Sequence, residues 1–248
     1  MDFAIYPVFA LIAAVYASVG FGGGSSYLAV LQLLGIPFLP LRATALLCNL
    51  TVVSGGTWLF FRRGHLPWGK VWPLVATSVP MAFVGGRLPI GAGLFYGLLG
   101  GALVAAAALM WFRSFHVRRE IKMRQYPIGY ASILGGAIGF LSGMVGIGGG
   151  IFLAPVLHLL RWDTPVRIAA TASFFILVNS AAGLAGQLLR PDFYVDGWMA
   201  AGLMVAVFIG GQIGSRLGSG RLSPVWIRRT TAVLVFVVGW RVLGGWPF

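Results

Sequence analysis

The chain has 248 residues and a net charge of +13 from 18 Lys and Arg against 5 Asp and Glu, yet only 9% of its residues are charged, 58% are hydrophobic and the mean hydropathy is +0.90. Soluble domains carry roughly a quarter charged residues, so this balance excludes a soluble globular chain and implies a polytopic membrane protein. The basic residues form short clusters between apolar segments, which excludes a nucleic-acid-binding face and puts lipid headgroups beside them.

In chain order, apolar stretches occupy residues 3–19, 43–61, 71–86, 94–112, 128–145, 168–189, 197–215 and 225–245. Most approach the ~20 residues that cross a hydrocarbon core. Helices are expected, because backbone groups in lipid must be satisfied within their own segment, and the continuous runs lack the alternation of a barrel. The first stretch reads as part of the fold and not as a cleaved leader. The segment "RSFHVRREIKMR", residues 113–124, marks the midpoint. The expected organisation is a first transmembrane repeat over 1–112, a basic linker over 113–126 and a second repeat over 127–248. Trp58, Trp68, Trp72, Trp198 and Trp226 read as interface anchors, and the single cysteine, Cys48, excludes an intramolecular disulfide.

The halves share a glycine-rich phrase: "VGFGGGSSYLAVL" from Val19 and "VGIGGGIFLAPVL" from Val145. The correspondence continues, with Ala43–Thr44 against Ala170–Thr171, Gly56 against Gly183, Arg63 against Arg190, Gly85–Gly86 against Gly210–Gly211 and Arg87–Leu88 against Arg216–Leu217. An internal duplication follows. After each glycine run comes a short apolar segment, residues 25–36 or 151–160, too short to cross the membrane. If each forms a hairpin with the preceding helix, each repeat crosses three times and the second is inverted. With the N-terminus outside, that arrangement puts every Lys and Arg inside except Arg42, Arg87, Arg190 and Arg241. The expected fold is therefore an all-α polytopic membrane protein of two inverted-topology repeats. Each has a glycine-broken hairpin followed by three transmembrane helices. Both termini are expected to be periplasmic and residues 113–126 cytoplasmic, in the inner (plasma) membrane.

Inverted repeats place a substrate near the membrane midplane, where broken helices expose backbone groups. Gly22, Gly23 and Gly24 precede one half-helix and Gly148, Gly149 and Gly150 the other, so free N–H groups and positive helix ends converge on an oxyanion. Close helix packing is the competing role for glycine, as at Gly135, Gly136 and Gly139. Ser25, Ser26, Thr44 and Thr171 join the expected site through their hydroxyls, whose alternative is a bond back to their own helix. Asn49, Asn179, Gln187 and His158 are candidate pathway residues. The amides serve alternatively to join helices, and the histidine to cap one. Neither glycine run continues into a P-loop, and no ribose-binding acid follows. The three histidines, His65, His116 and His158, have no shared metal spacing, and all five acids fall in predicted termini or loops. No cofactor and no metal are expected, and catalysis has no nucleophile–base pair to use.

These residues resemble the TauE/SafE sulfite exporters, also called the 4-toluene sulfonate uptake permease family. The resemblance rests on "GFGGGSSYLAVL" and "GIGGGIFLAP", on "RATALL" and "RIAATAS", and on "GGRL" and "GGQIGSRL", and covers nearly the whole chain. It implies a secondary transporter, an exporter of sulfite, sulfonates or other small sulfur-containing organic anions. "GGGSS" departs from relatives that carry an apolar residue after the glycines, as does the apolar "LLCNL" after Thr44. The expected partners are a small anion and membrane lipids, with no nucleic acid. Oligomeric state and coupling ion are left open. The alternatives are a proton-coupled importer of an organic anion, an intramembrane enzyme and a scaffold.

Overall fold

The computed structural model describes residues 4–18, 20–114, 123–124 and 126–218, with Val233, Phe236, Gly239, Trp240, Leu243 and Gly244. Most of the basic linker, most of the last apolar stretch, Trp226 and Arg241 lie outside the described residues.

Among the described residues all regular structure is helical: α1 (Ile5–Ala17), α2 (Gly24–Leu33), α3 (Phe38–Arg62), α4 (Trp68–Arg87), α5 (Ala92–Ser114), α6 (Ile128–Val145), α7 (Gly150–Leu159), α8 (Pro165–Leu188) and α9 (Gly197–Gly218). Among the described residues four helices are long and apolar enough to cross a membrane: α3, α6, α8 and α9. Their outward faces carry exposed apolar side chains such as Ile133 on α6 and Val205, Phe208 and Ile209 on α9, as lipid contact requires. Trp58, Trp68, Trp72 and Trp198 are also exposed.

Both expected half-helices are present, each 10 residues long. The break before α2 begins where α1 closes on itself, with Gly20 N–H donating to Ala17 and Phe21 N–H to Tyr16. Gly23 then turns left-handed at φ 87° and caps α2, and Gly149 does the same at φ 80° before α7. A side chain is strained in that region of φ/ψ space, and glycine is not.

α3 starts earlier than its apolar run suggests. Pro37 forms the N-cap and Pro40 falls in the first turn, where a missing N–H removes no helical hydrogen bond. Arg42, read from sequence as an outer-loop charge, is consequently inside the helix and fully buried.

The halves interlock. The most extensive interface joins α4 to α6 and the next joins α1 to α9, so the first helix of each half lies on the fourth helix of the other. α4 also packs on α8, α9 packs on α3, and α3 meets α8. Glycine makes these approaches possible. A Cβ on Gly135, Gly139 or Gly143 of α6 would strike the backbone of Leu74, Ser78 or Ala82 on α4, and one on Gly210 or Gly214 of α9 would strike Ala10 or Ala14 on α1. The packing role expected for Gly135 and Gly139 therefore holds. Gly136 makes only ordinary contacts with Thr77 and Met81 side chains.

Candidate functional site

The two glycine breaks lie on either side of one side chain. Asn49, in the middle of α3 and fully buried, donates from Nδ2 to the Ile147 carbonyl at 2.9 Å. A Cβ on Gly22 or Gly24 would collide with the same carboxamide, and a Cβ on Gly148 would come within 3.3 Å of Asn49 Nδ2. Asn49 thus touches the first glycine run and bonds to the second. Its Oδ1 has no hydrogen-bond partner.

Aligning the halves on Ala43–Thr44 and Ala170–Thr171 pairs Asn49 with Ile176 and Val53 with Ser180. The structure places these pairs alike: Asn49 and Val53 cover Gly22, and Ile176 and Ser180 cover Gly148. Ile176 also covers Gly150, as Asn49 covers Gly24. Each break is therefore lined by one polar and one apolar residue, with the order exchanged.

Backbone donors face this region. Gly23 carbonyl accepts from Ser26 and Tyr27, and Gly149 carbonyl accepts from Phe152 and Leu153. The N–H groups of Gly24, Ser25, Gly150 and Ile151 come too early in their helices for an intrahelical acceptor. All four residues are buried, so two positive helix ends open inside the protein.

The expected hydroxyls divide. Ser25 and Ser26 are buried, and Ser26 Oγ lies 2.8 Å from Tyr16 Oη. Thr44 is fully buried with an unpartnered Oγ1. Thr171 instead bonds back to the Arg167 carbonyl at 2.8 Å, the alternative weighed for the hydroxyls, and Asn179 donates to the Phe175 carbonyl of its own helix at 2.8 Å and keeps an unpartnered Oδ1. Gln187 is buried in the last turn of α8 with an unpartnered Nε2. His158 lies in the last turn of α7, at the far end from Gly150.

Four groups at the breaks were not among the sequence candidates. Ser142 and Ser180 hydroxyls and Tyr27 Oη are buried without partners beside Gly149, Gly148 and Gly23 respectively. The fourth is Arg42, whose Nη2 donates to the Gly143 carbonyl at 3.0 Å, while Nε and Nη1 have no partner. Gly146, at φ 80°, packs against Arg42 Cα and Cβ. The signal in the sequence was position, since Arg42 adjoins the matched Ala43–Thr44 pair.

The ends of the molecule carry ion pairs. At one end Arg190 grips Asp192 through Nε and Nη2 and donates from Nη1 to the Leu88 carbonyl. That grip holds the Asp192 carboxyl below the usual carboxylate range. At the other end Lys70 donates to Asp163 at 2.8 Å and to the Trp162 carbonyl at 3.0 Å. Burial would raise the Asp163 carboxyl, but hydrogen bonds from Lys70 and the Thr164 N–H, with the charges of Lys70 and Arg167, outweigh it and hold the group low. A cavity of about 150 Å³ beside this pair is lined by residues that include Lys70, Arg124, Tyr126 and Trp162. No His, Cys, Asp and Glu cluster able to hold a metal occurs among the described residues.

A family model described as sulfite exporter TauE/SafE matches residues 5–242. A probable membrane transporter protein of Sinorhizobium fredii, y4hK, is 36% identical over 242 residues, which cover 95% of each chain. Probable membrane transporter proteins of Bacillus subtilis, YdhB, and of Haemophilus influenzae are 26% and 25% identical, covering 87% and 90% of this chain and 88% and 89% of their own. No solved structure matches. With a family model spanning nearly its whole length and relatives matched over most of theirs, the chain belongs to the sulfite exporter TauE/SafE family of membrane transporters.

Proposed function

We propose that the protein exports small sulfur-containing oxyanions, sulfite or an organosulfonate, and binds them where the two glycine breaks meet around Asn49. The observation that carries this reading is the contact of one carboxamide with both breaks, beside two buried helix N-termini. An oxyanion spreads its charge over several oxygens, each able to accept an N–H or a hydroxyl. Gly22, Gly23, Gly24, Gly148, Gly149 and Gly150 supply backbone access, and Ser25, Ser26 and Thr44 supply hydroxyls.

The site also fits alternating access by two inverted-topology repeats, residues 1–112 and 127–248 joined by the basic linker. Reciprocal packing of α1 on α9 and α6 on α4 supports that reading, because two equivalent halves rocking about a shared centre expose it to each side in turn. Among the described residues the acidic side chains, Asp163, Asp192 and Asp196, all lie between helices. No carboxylate on a described spanning helix is placed to carry a coupling proton, which favours movement of the anion down its electrical gradient.

The test is efflux from liposomes containing the purified protein. Preloaded sulfite or methanesulfonate should leave faster than from protein-free vesicles, and saturably. Vesicles that release neither anion faster than the control remove the proposal.

A further inference from the structure

We infer that Arg42 is the charge partner of the transported anion, an inference that rests on the oxyanion reading above. Arg42 has no solvent exposure, although α3 is one of the helices apolar enough to span a membrane. A guanidinium carries five N–H donors. Here Nη2 meets one carbonyl and the group stands 6.0 Å from the Phe95 ring centroid, while Nε and Nη1 have no hydrogen-bond partner. A buried cation normally sits beside an anion, because desolvation is costly unless charge and donors are both met. Among the described residues no carboxylate fills that role: the charges of Arg190 and Asp192 both reach Arg42, but the Asp192 oxygens are gripped by Arg190.

The competing role is structural. Arg42 reaches the last turn of α6, where a cation is favoured by the helix dipole. That role uses one nitrogen and leaves the others unexplained. The equivalent break also closes without a cation. Gly20 corresponds to Gly146 in the glycine phrase, and the residue packed on Gly20 is Ala169, which aligns with Arg42. A helix of this kind can end at such a turn with no guanidinium.

Position ties Arg42 to the proposed site. Arg42, Leu46 and Asn49 follow the i, i+4, i+7 spacing of one helix face, so Arg42 and Asn49 stand about 10 Å apart along α3. Both reach the same break, Arg42 at Gly143 and Gly146 and Asn49 at Ile147 and Gly148. An oxyanion between them meets a cation at one end and an amide with backbone donors at the other. The aligned residue of the second half is Ala169, so Arg42 gives an otherwise two-fold centre its polarity.

The test is the thermal midpoint of purified full-length protein in a gluconate buffer, titrated separately with sulfite, methanesulfonate, phosphate and acetate. At least one of these anions should raise the midpoint of the wild type and of R87Q, a variant at an exposed arginine, and leave R42Q unmoved. R42K keeps the charge but not the planar fork, and its apparent Kd should rise by about tenfold, the cost of one charge-assisted hydrogen bond. If R42Q yields no folded protein, the R42K titration decides, and a Kd equal to wild type overturns the inference. An anion shift that survives in R42Q overturns it and leaves the sulfur-oxyanion reading standing. A shift from phosphate or acetate alone that R42Q abolishes keeps Arg42 as the anion partner and removes the sulfur assignment. No shift from any of the four in the wild type leaves Arg42 a helix cap and overturns the inference.

Discussion

The side-chain amide of Asn49 donates to the main-chain carbonyl of Ile147, 98 residues later, across 2.9 Å. Removing it leaves a buried carbonyl without its donor, at a cost of about 1–3 kcal/mol. N49A should therefore lower the thermal midpoint and abolish anion efflux. The exchanged pair N49I/I176N, which moves the amide to the matched position on the other break, should recover part of the efflux lost in N49I. Full activity in N49A would remove Asn49 from the site.

The N-cap glycines offer a second test with an internal control. G23A and G149A put a side chain at positive φ, which costs about 1–2 kcal/mol, and drive it against Tyr27 or Phe175. Gly35 and Gly64 also have positive φ, at 71° and 67°, but nothing lies within 4 Å of a Cβ built there. All four alanine variants should lose stability, whereas only G23A and G149A should lose efflux. Equal retention of efflux across the set would make the break glycines purely conformational.

A third prediction concerns orientation. Cys48 is the only cysteine and is fully buried, so a C48A background gives a clean start. S114C should resist a membrane-impermeant thiol reagent added to intact cells and react once the cells are opened. Labelling in intact cells would refute the cytoplasmic linker and with it the inverted repeats.

Much of this arrangement was legible in the residues. Apolar segments of 12 and 10 residues after the glycine runs read as half-helices, because neither length spans a bilayer. Gly135 and Gly139, four apart, read as one face of a close helix contact. Arg42 was not legible, because the prolines at 37 and 40 suggest a loop until they are seen to start α3. Nor was the bond from Asn49 to Ile147, since no local pattern joins residues so far apart. Thr171 and Asn179 show what a sequence does not reveal: the hydroxyl of one and the Nδ2 of the other bond to carbonyls of their own helix, while Asn179 Oδ1 has no partner.

The ion pair near the cavity gives a pH prediction. The carboxyl of Asp163 is held lower in the folded protein than its ordinary unfolded value of about 3.9. Its stabilising contribution is therefore complete above that value and disappears as pH falls through the lower, folded one. D163N should melt earlier than wild type at pH 7, and the gap should close toward pH 3. A gap that stays constant over that interval would mean that the Asp163 charge does not stabilise the fold.

Voltage dependence is the fifth prediction. Over one complete transport cycle every protein charge returns to its start, so the net charge moved is that of the substrate alone. With the interior negative, outward movement of each negative charge gains ~2.3 kcal/mol per 100 mV. Efflux from liposomes under a potassium diffusion potential, with no pH gradient, should accelerate when the lumen is negative. Indifference to voltage together with dependence on a pH gradient would indicate electroneutral proton-linked movement.

The reciprocal lodging of α1 against α9 and of α6 against α4 has a consequence for biosynthesis. While the ribosome has delivered only the first half, the main packing partners of α1 and α4 are still untranslated. Ala10 and Ala14 wait for Gly210 and Gly214, and Leu74, Ser78 and Ala82 wait for Gly135, Gly139 and Gly143. The seam on α4 therefore cannot close before α6 is made, nor the seam on α1 before α9. Assembly is therefore a late event in the life of this chain, and truncation anywhere before α9 leaves α1 without its seat.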